Sequence, residues 1–325
     1  PLYPVHHVEA HVYANFIVQS GGAHPSTLLR NEFEAAVPPP KAHLSARADM
    51  NARESLDTSS DKTSAARDSS GNADDESRSE AVLKDDGDEK TNRLNLPSSQ
   101  PDFPMLALIV SGGHSQLVLF KNHGDYHLLG QTQDDAVGEA FDKVAKLLGL
   151  PYPGGPSIAE AADYGDPQSY QLPIAKLSDP YNFSFSGLKT AVLRAVQREV
   201  GVETTFPSHE LKTRLTDVQR HNFAASFQHT AIRTLVATTL RAVNAHQPAS
   251  VVIAGGVAAN QELRRQLADQ LPFPIEYAPI SLCTDNGAMI ACLGYYMAQT
   301  LSPTDPTAFT VMPSLPMSKT AWHVT

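Results

Sequence analysis

No phenylalanine, tryptophan or tyrosine occurs between residues 34 and 102. The middle of that stretch reads NARESLDTSSDKTSAARDSSGNADDESRSEAVLKDDGDEK, which is serine and charge with scattered alanine. Such a segment buries too little apolar surface to offset the entropy of ordering it. Residues 36–102 are therefore expected to form a disordered low-complexity insertion. Whatever core the chain has must be assembled from the residues on either side.

Order is expected to resume at Phe103. PMLALIV is a short continuous apolar run, the pattern of a buried strand. GGH follows as a turn and QLVLF as a second strand, so the pair reads as a hairpin. In AVGEAFDKVAKLLGL (136–150), Phe141, Val144, Ala145, Leu147 and Leu148 recur at helical spacing, and PYPGGP (151–156) stops that helix. Helices are expected over 184–200 and 221–246. VVIAGG (251–256) reads as a strand running into a glycine turn from which a helix opens over 257–271. IEYAP reads as a further strand, and LCTDNGAMIACLGYYMAQ (282–299) as a turn followed by an apolar helix. Strands alternating with helices across glycine-rich turns predict an α/β architecture with a mixed sheet.

The chain has 325 residues, enough for about two domains. Its net charge of 25 − 35 = −10 disfavours a general polyanion binder, because non-specific nucleic-acid affinity comes from Lys and Arg on phosphates. A local patch is compatible with that balance. Lys189, Arg194, Arg198, Lys212, Arg214 and Arg220 lie on or near the expected helices and supply one candidate, against the plainer reading of a solvated face. The two cysteines, Cys283 and Cys292, form no disulfide framework and point to a reducing compartment. The longest apolar runs fall short of the roughly 18–20 residues needed to cross a bilayer. No signal peptide is visible, and the first residue is Pro rather than Met, which suggests a processed or truncated chain.

Five short stretches carry candidate chemistry. In HHVEAH (6–11), a helix over residues 5–17 puts His7 and His11 one above the other, a spacing that suits two imidazoles on one metal ion. Glu9 is about 200° round the helix from His7 and points away, unlike the base of an H-E-x-x-H protease. His6 is about 100° off and is a poorer ligand. The alternative is a set of capping or surface histidines, and no third ligand lies nearby in sequence. In IVSGGHSQ (109–116), the glycines let backbone N–H groups approach a phosphate, or simply make a tight hairpin. IAGGVAAN (253–260) runs from strand through Gly-Gly to helix, an arrangement that can seat a nucleotide, with Asn260 in the first turns of the helix. In CTDNGAM (283–289), Asp285 is either a helix cap or a third metal ligand, with Cys283 as a softer alternative. In GEAFDK (138–143), Asp142 and Glu139 share a helix face, and Asp142 either accepts from ribose hydroxyls or is solvated.

In their order along the chain, HHVEAH, LIVSGGHSQL, GEAFDKVAKLLGLPYPGGP, FSFSGLKTAV, VIAGGVAAN and CTDNGAMIA resemble the tRNA adenosine threonylcarbamoyltransferases. The resemblance spans everything except the insertion and the last dozen or so residues. It implies the two-lobed α/β fold of actin, the sugar kinases and the heat-shock ATPases, with mixed sheets. Residues 1–35 and 290–325 would be the remnant of an incomplete first lobe, and 103–289 the second lobe. It further implies that His7, His11 and Asp285 hold one divalent ion per subunit, iron or zinc. Ile109, Val110, Ser111, Gly112 and Gly113 would cradle threonylcarbamoyl-adenylate, with Asp142 and Gly155 along the ribose and Asn260 near the nucleotide. The implied reaction moves the threonylcarbamoyl group to the exocyclic amine of the adenosine 3′ of the anticodon, in tRNAs that read codons starting with A. The implied partners are tRNA and a second copy of the chain or a paralogue.

PYPGGP and FSFSGLKT resemble the bacterial and mitochondrial branch, which implies the mitochondrial matrix, with the cytoplasm as the alternative. Family members carry a further N-terminal segment that completes the nucleotide cleft. Its absence here predicts a sheet edge without partners and a chain of low stability and activity. Competing expectations are a truncated, non-catalytic homologue that binds only nucleotide or partners, a sugar-kinase-like phosphotransferase, and a metallopeptidase, which the phase of Glu9 argues against.

Overall fold

Strand β1 (Met105–Val110) is buried along its whole length, and its side chains enter two different cores. Leu106, Leu108 and Val110 face one side, while Met105, Ala107 and Ile109 face the other. A strand covered on both faces has no position for a polar side chain, hence the unbroken run MLALIV. The computed structural model describes residues 2–18, 96–273, 275, 277–308, 310–312, 315–318 and 322. The expected insertion at 36–102 lies outside the described residues except for its last seven positions.

The expected hairpin is present. β2 (Ser115–Asn122) pairs antiparallel with β1, and β3 (Asp125–Gln131) antiparallel with β2. β4 (Ser250–Ala254) pairs parallel with β1, so the sheet is mixed and ordered β3–β2–β1–β4. β3 was not legible in the sequence. As an edge strand it is mostly exposed or half-buried, and DYHLLGQ carries no clean apolar alternation.

One face of the sheet is covered by α2 (Val137–Leu148), α3 (Gly154–Ala162), α4 (Ser186–Glu199), α5 (Asp217–His246) and α6 (Gln261–Gln270). Phe141 of α2 meets Phe227 of α5 edge-on at 5.0 Å, and both are buried. Full burial of such a ring contributes about 1.5–3 kcal/mol. Helix α2 ends at Gly149 in the left-handed conformation. Helix α3 was not expected, because PYPGGP reads as a stop and the helix begins inside that motif, at Gly154.

The other face is covered by α1 (His7–Tyr13), which runs into a 3-10 turn over Ala14–Phe16, and by α8 (Gly287–Thr300). α1 packs on α8, β1 and β4. A helix of seven residues does not hold itself together in water, so this packing is what stabilises it. The expected boundary between first-lobe remnant and second lobe, at 289/290, falls inside α8.

Two expectations are corrected. The helix thought to open directly from Gly255–Gly256 is a 3-10 turn over Gly256–Ala259, and α6 starts only at Gln261. The described residues of IEYAP form no strand. The Ala278 N–H is taken by the Asn15 side chain and its carbonyl by Arg264, so side chains satisfy the backbone that a ladder would otherwise pair. A short helix, α7 (Ile280–Cys283), follows.

Candidate functional site

His7 and His11, from early in the chain, meet Asp285, from late in it, beside the C-terminal ends of β1 and β4. His6 is the N-cap of α1: its Nδ1 accepts from the Glu9 N–H at 3.3 Å, and its Nε2 lies 2.8 Å from the Leu315 carbonyl. That fixes the helix start and leaves His7 and His11 one turn apart, their rings 5.0 Å from each other and nearly perpendicular. The loop before α8 brings in Asp285. Its Oδ1 is 3.3 Å from His7 Nε2 and 3.1 Å from His11 Nε2. The three side chains offer ligand atoms within 4.8 Å of one another. The competing reading of Asp285 as a helix cap is corrected, because Asn286 caps α8 by accepting from the Met289 N–H at 2.9 Å. The cap lies one residue further on, and the Asp285 carboxylate is free to turn toward the histidines.

This donor set fits a divalent ion. Bonds of about 2.0–2.2 Å in a tetrahedral site separate neighbouring ligand atoms by roughly 3.3 Å, close to the two distances above. Burial lowers the pKa of His11 and the adjacent His7 ring adds to this, while the Asp285 carboxylate pulls the other way. The neutral imidazole is the form that binds a metal. His11 Nδ1 is buried and has no hydrogen-bond partner among the described residues, so packing orients the ring. Glu9 lies on the opposite side of α1, as its phase requires. It is fully buried and accepts from Trp322 Nε1 at 2.7 Å and from the Tyr126 hydroxyl at 3.4 Å, with burial raising its pKa to about 7. Cys283 is not a ligand here. It is buried against Arg264, and burial raises its thiol pKa.

The three residues line a cavity of about 660 Å³ together with Ile109, Ser111, Gly112, His114, Gly256 and Thr284. Two glycines let the backbone beside it pack closely. A Cβ on Gly138, at the start of α2, would lie 2.6 Å from the Ser111 carbonyl, so only glycine lets the helix end approach the 111–113 turn. Gly255 has φ of +88°, and a Cβ there would lie 2.5 Å from the Val110 carbonyl.

The remaining expected ligand-binding residues divide. Ile109, Ser111 and Gly112 line the cavity with the metal-type cluster. Gly113 does not, and its N–H turns inward to the Ser111 hydroxyl at 3.3 Å, as does that of His114 at 3.1 Å. Val110 belongs to the larger core. The Asp142 Oδ1 accepts from the Gly154 N–H at 2.7 Å, holding the start of α3, and Asp142 lines a second, adjoining cavity of about 380 Å³. Gly155 lines neither. Asn260 is the N-cap of α6: its Oδ1 accepts from Leu263 N–H at 3.0 Å and its Nδ2 donates to Gln228 at 2.9 Å, so both ends of the amide are engaged. Sequence reasoning missed His114 and Tyr152. His114 lies inside the glycine turn, and Tyr152 is 84% exposed in a motif that reads as a helix stop.

The family model described as tRNA N6-adenosine threonylcarbamoyltransferase matches residues 90–292. Proteins of that name from Thermomicrobium roseum and Symbiobacterium thermophilum are 48% and 49% identical to this chain, over 64% and 62% of its length. The aligned regions cover 60% and 56% of those relatives, so the chain spans somewhat over half of their length. The activator of 2-hydroxyisocaproyl-CoA dehydratase from Clostridium difficile overlays at a TM-score of 0.34 and 13% identity, over 62% of this chain and 66% of that one, too loosely to carry weight. The family match covers more than half of the chain, and the chain belongs to the tRNA N6-adenosine threonylcarbamoyltransferase family.

Proposed function

We propose that this chain transfers the threonylcarbamoyl group from threonylcarbamoyl-adenylate to the exocyclic amine of the adenosine 3′ of the anticodon, in tRNAs reading codons that start with A. The observation that carries this reading is the convergence of His7, His11 and Asp285, from early and late in the chain, in a cavity also lined by Ser111 and Gly112. A metallopeptidase reading has no comparable support, since Glu9 is buried on the far side of α1 and is held by Trp322 and Tyr126.

His7, His11 and Asp285 would hold an iron or zinc ion. When bound, that ion supplies Lewis-acid polarisation of the carbamoyl carbonyl and offsets the negative charge that develops there. The chain's own residues do the positioning. Gly112 lines the cavity, and an added Cβ there would meet nothing within 4 Å, so the glycine leaves that space open to a ligand. The acyl-adenylate is already reactive and the amine needs little activation, which leaves orientation and exclusion of water as the main tasks of the cavity. The same proposal puts the reaction in the mitochondrial matrix rather than the cytoplasm, supported by the bacterial-type PYPGGP and FSFSGLKT motifs, and includes pairing with a second copy or a paralogue.

The test is transfer of threonylcarbamoyl to unmodified tRNA by the metal-loaded chain, with and without His7→Ala. The low activity expected from the sequence makes the product slow to form, and the reading expects it from the wild type and its loss in the variant. A homologue that only binds nucleotide or partners would take up metal and give no product.

A further inference from the structure

Tyr152 lines both cavities, the 660 Å³ one that holds the metal-type cluster and the 380 Å³ one beside it. Its ring is 84% exposed, the most exposed large hydrophobic side chain among the described residues. The smaller cavity is rimmed by three lysines, Lys143, Lys146 and Lys212. Lys143 is neutralised locally, 2.7 Å from Asp135 and 2.9 Å from Glu139. Lys146 and Lys212 are exposed and make no ion pair among the described residues. The Lys212 side chain starts beside Gly149, at φ +75°, where an added Cβ would lie 2.9 Å from the Lys212 Cβ. Of the other basic residues flagged in the sequence, Arg194, Arg214 and Arg220 are engaged by Gln197 and the Thr204 carbonyl, by the Phe206 ring, and by the Leu148 and Leu215 carbonyls. Two uncompensated ammonium groups beside a bare aromatic ring stand out on a chain of net charge −10.

An exposed ring flanked by cations is the chemistry that binds an unpaired nucleotide strand, with the base stacking on the ring and phosphates on the lysines. We propose that this ledge is where the single-stranded loop of the RNA substrate docks. Tyr152 stacks the base presented to the larger cavity, and Lys146 and Lys212 take the flanking backbone phosphates. This rests on the transferase reading and assigns it a substrate-recognition surface.

The experiment measures affinity of the full chain for an unmodified anticodon stem-loop RNA over a range of salt, with metal content and adenosine monophosphate affinity measured in parallel. Tyr152→Ala should weaken RNA binding roughly tenfold with the salt slope unchanged. Tyr152→Phe should bind as the wild type does. Lys146→Ala with Lys212→Ala should reduce the slope of log K against log salt by about 1.4, from two phosphates at about 0.7 each. None of these variants should change metal content. Wild-type affinity in Tyr152→Ala, or a loss confined to adenosine monophosphate, overturns the assignment. A wild-type chain that holds metal but no RNA overturns the docking surface alone, whereas one that holds neither sinks the transferase reading with it.

Discussion

The two faces of the sheet are built on different principles. The face under α2–α6 is closed by apolar side chains such as Phe141, Val144, Phe223 and Phe227, and the polar residues buried in its helices, such as Gln197, Ser226 and Thr239, are uncharged. The face under α1 and α8 buries His6, Glu9, His11 and Asn15 within ten residues of chain. Buried polar groups are costly unless partnered. Three of these four are tied: His6 to Leu315, Glu9 to Trp322, and Asn15 to Val12, Ile253 and Ala278. Of the four, His11 keeps a buried nitrogen without a partner among the described residues, and its other nitrogen faces Asp285. One face is organised for stability. The other spends stability on holding a few polar atoms in fixed places, and the candidate site opens from that one.

This contrast breaks if substitutions on the two faces have the same kind of effect. The largest effect is expected at Asp285. Asp285→Ala should lower transfer at least about 100-fold while leaving the urea unfolding midpoint nearly unchanged, because the side chain is 76% exposed. Phe141→Ala, on the apolar face, should do the reverse. It should cost about 3–5 kcal/mol of stability, read by the same unfolding experiment, and the molecules that remain folded should still take up metal. Asn15→Ala is intermediate, since it leaves the buried Ala278 N–H and the Ile253 carbonyl without this partner. It should cost about 2 kcal/mol, and metal affinity should fall with it because α1 loses its tie to β4.

A smaller effect is expected from pH. Burial lowers the pKa of His123 from its ordinary value to about 4, where the ring lies against Tyr13, Phe16, Phe103 and Tyr296. The folded state therefore binds fewer protons than the unfolded chain between about pH 6.5 and 4. The contribution of this ring is full above that window and is lost as pH falls through it, whereas Glu9, its pKa raised to about 7, contributes in the opposite sense. The ring is only partly buried, so the loss is on the order of 1–2 kcal/mol after discounting for solvent. His123→Gln should flatten this acid limb in midpoint-against-pH measurements. An unchanged limb would show that another group carries it.

The sequence disclosed the parts of the molecule whose constraints are local. The run MLALIV, the Gly-Gly hairpin and the amphipathic α2 follow from periodicity and turn chemistry, and the one-turn spacing of His7 and His11 follows from helix geometry. The third ligand was not legible from spacing, because Asp285 is 274 residues from His11 and only the fold joins them. Asn260 and Asp142 also have a structural use that the sequence did not announce. Each is a polar residue beside a glycine motif, and each spends its side chain on a helix N-terminus, a use that leaves no distinct signature in composition. Tyr152 was overlooked because proline and glycine dominate the reading of PYPGGP, while exposure is a property of the folded surface.

The account stands on a shared ion between α1 and the loop before α8. Metal analysis of the purified full chain, beside the His7→Ala/His11→Ala double variant, tests this most directly. One divalent ion per chain, lost in the double variant, is the predicted result. A wild-type chain that binds no iron or zinc when both are supplied, or a variant that keeps its ion, would contradict it.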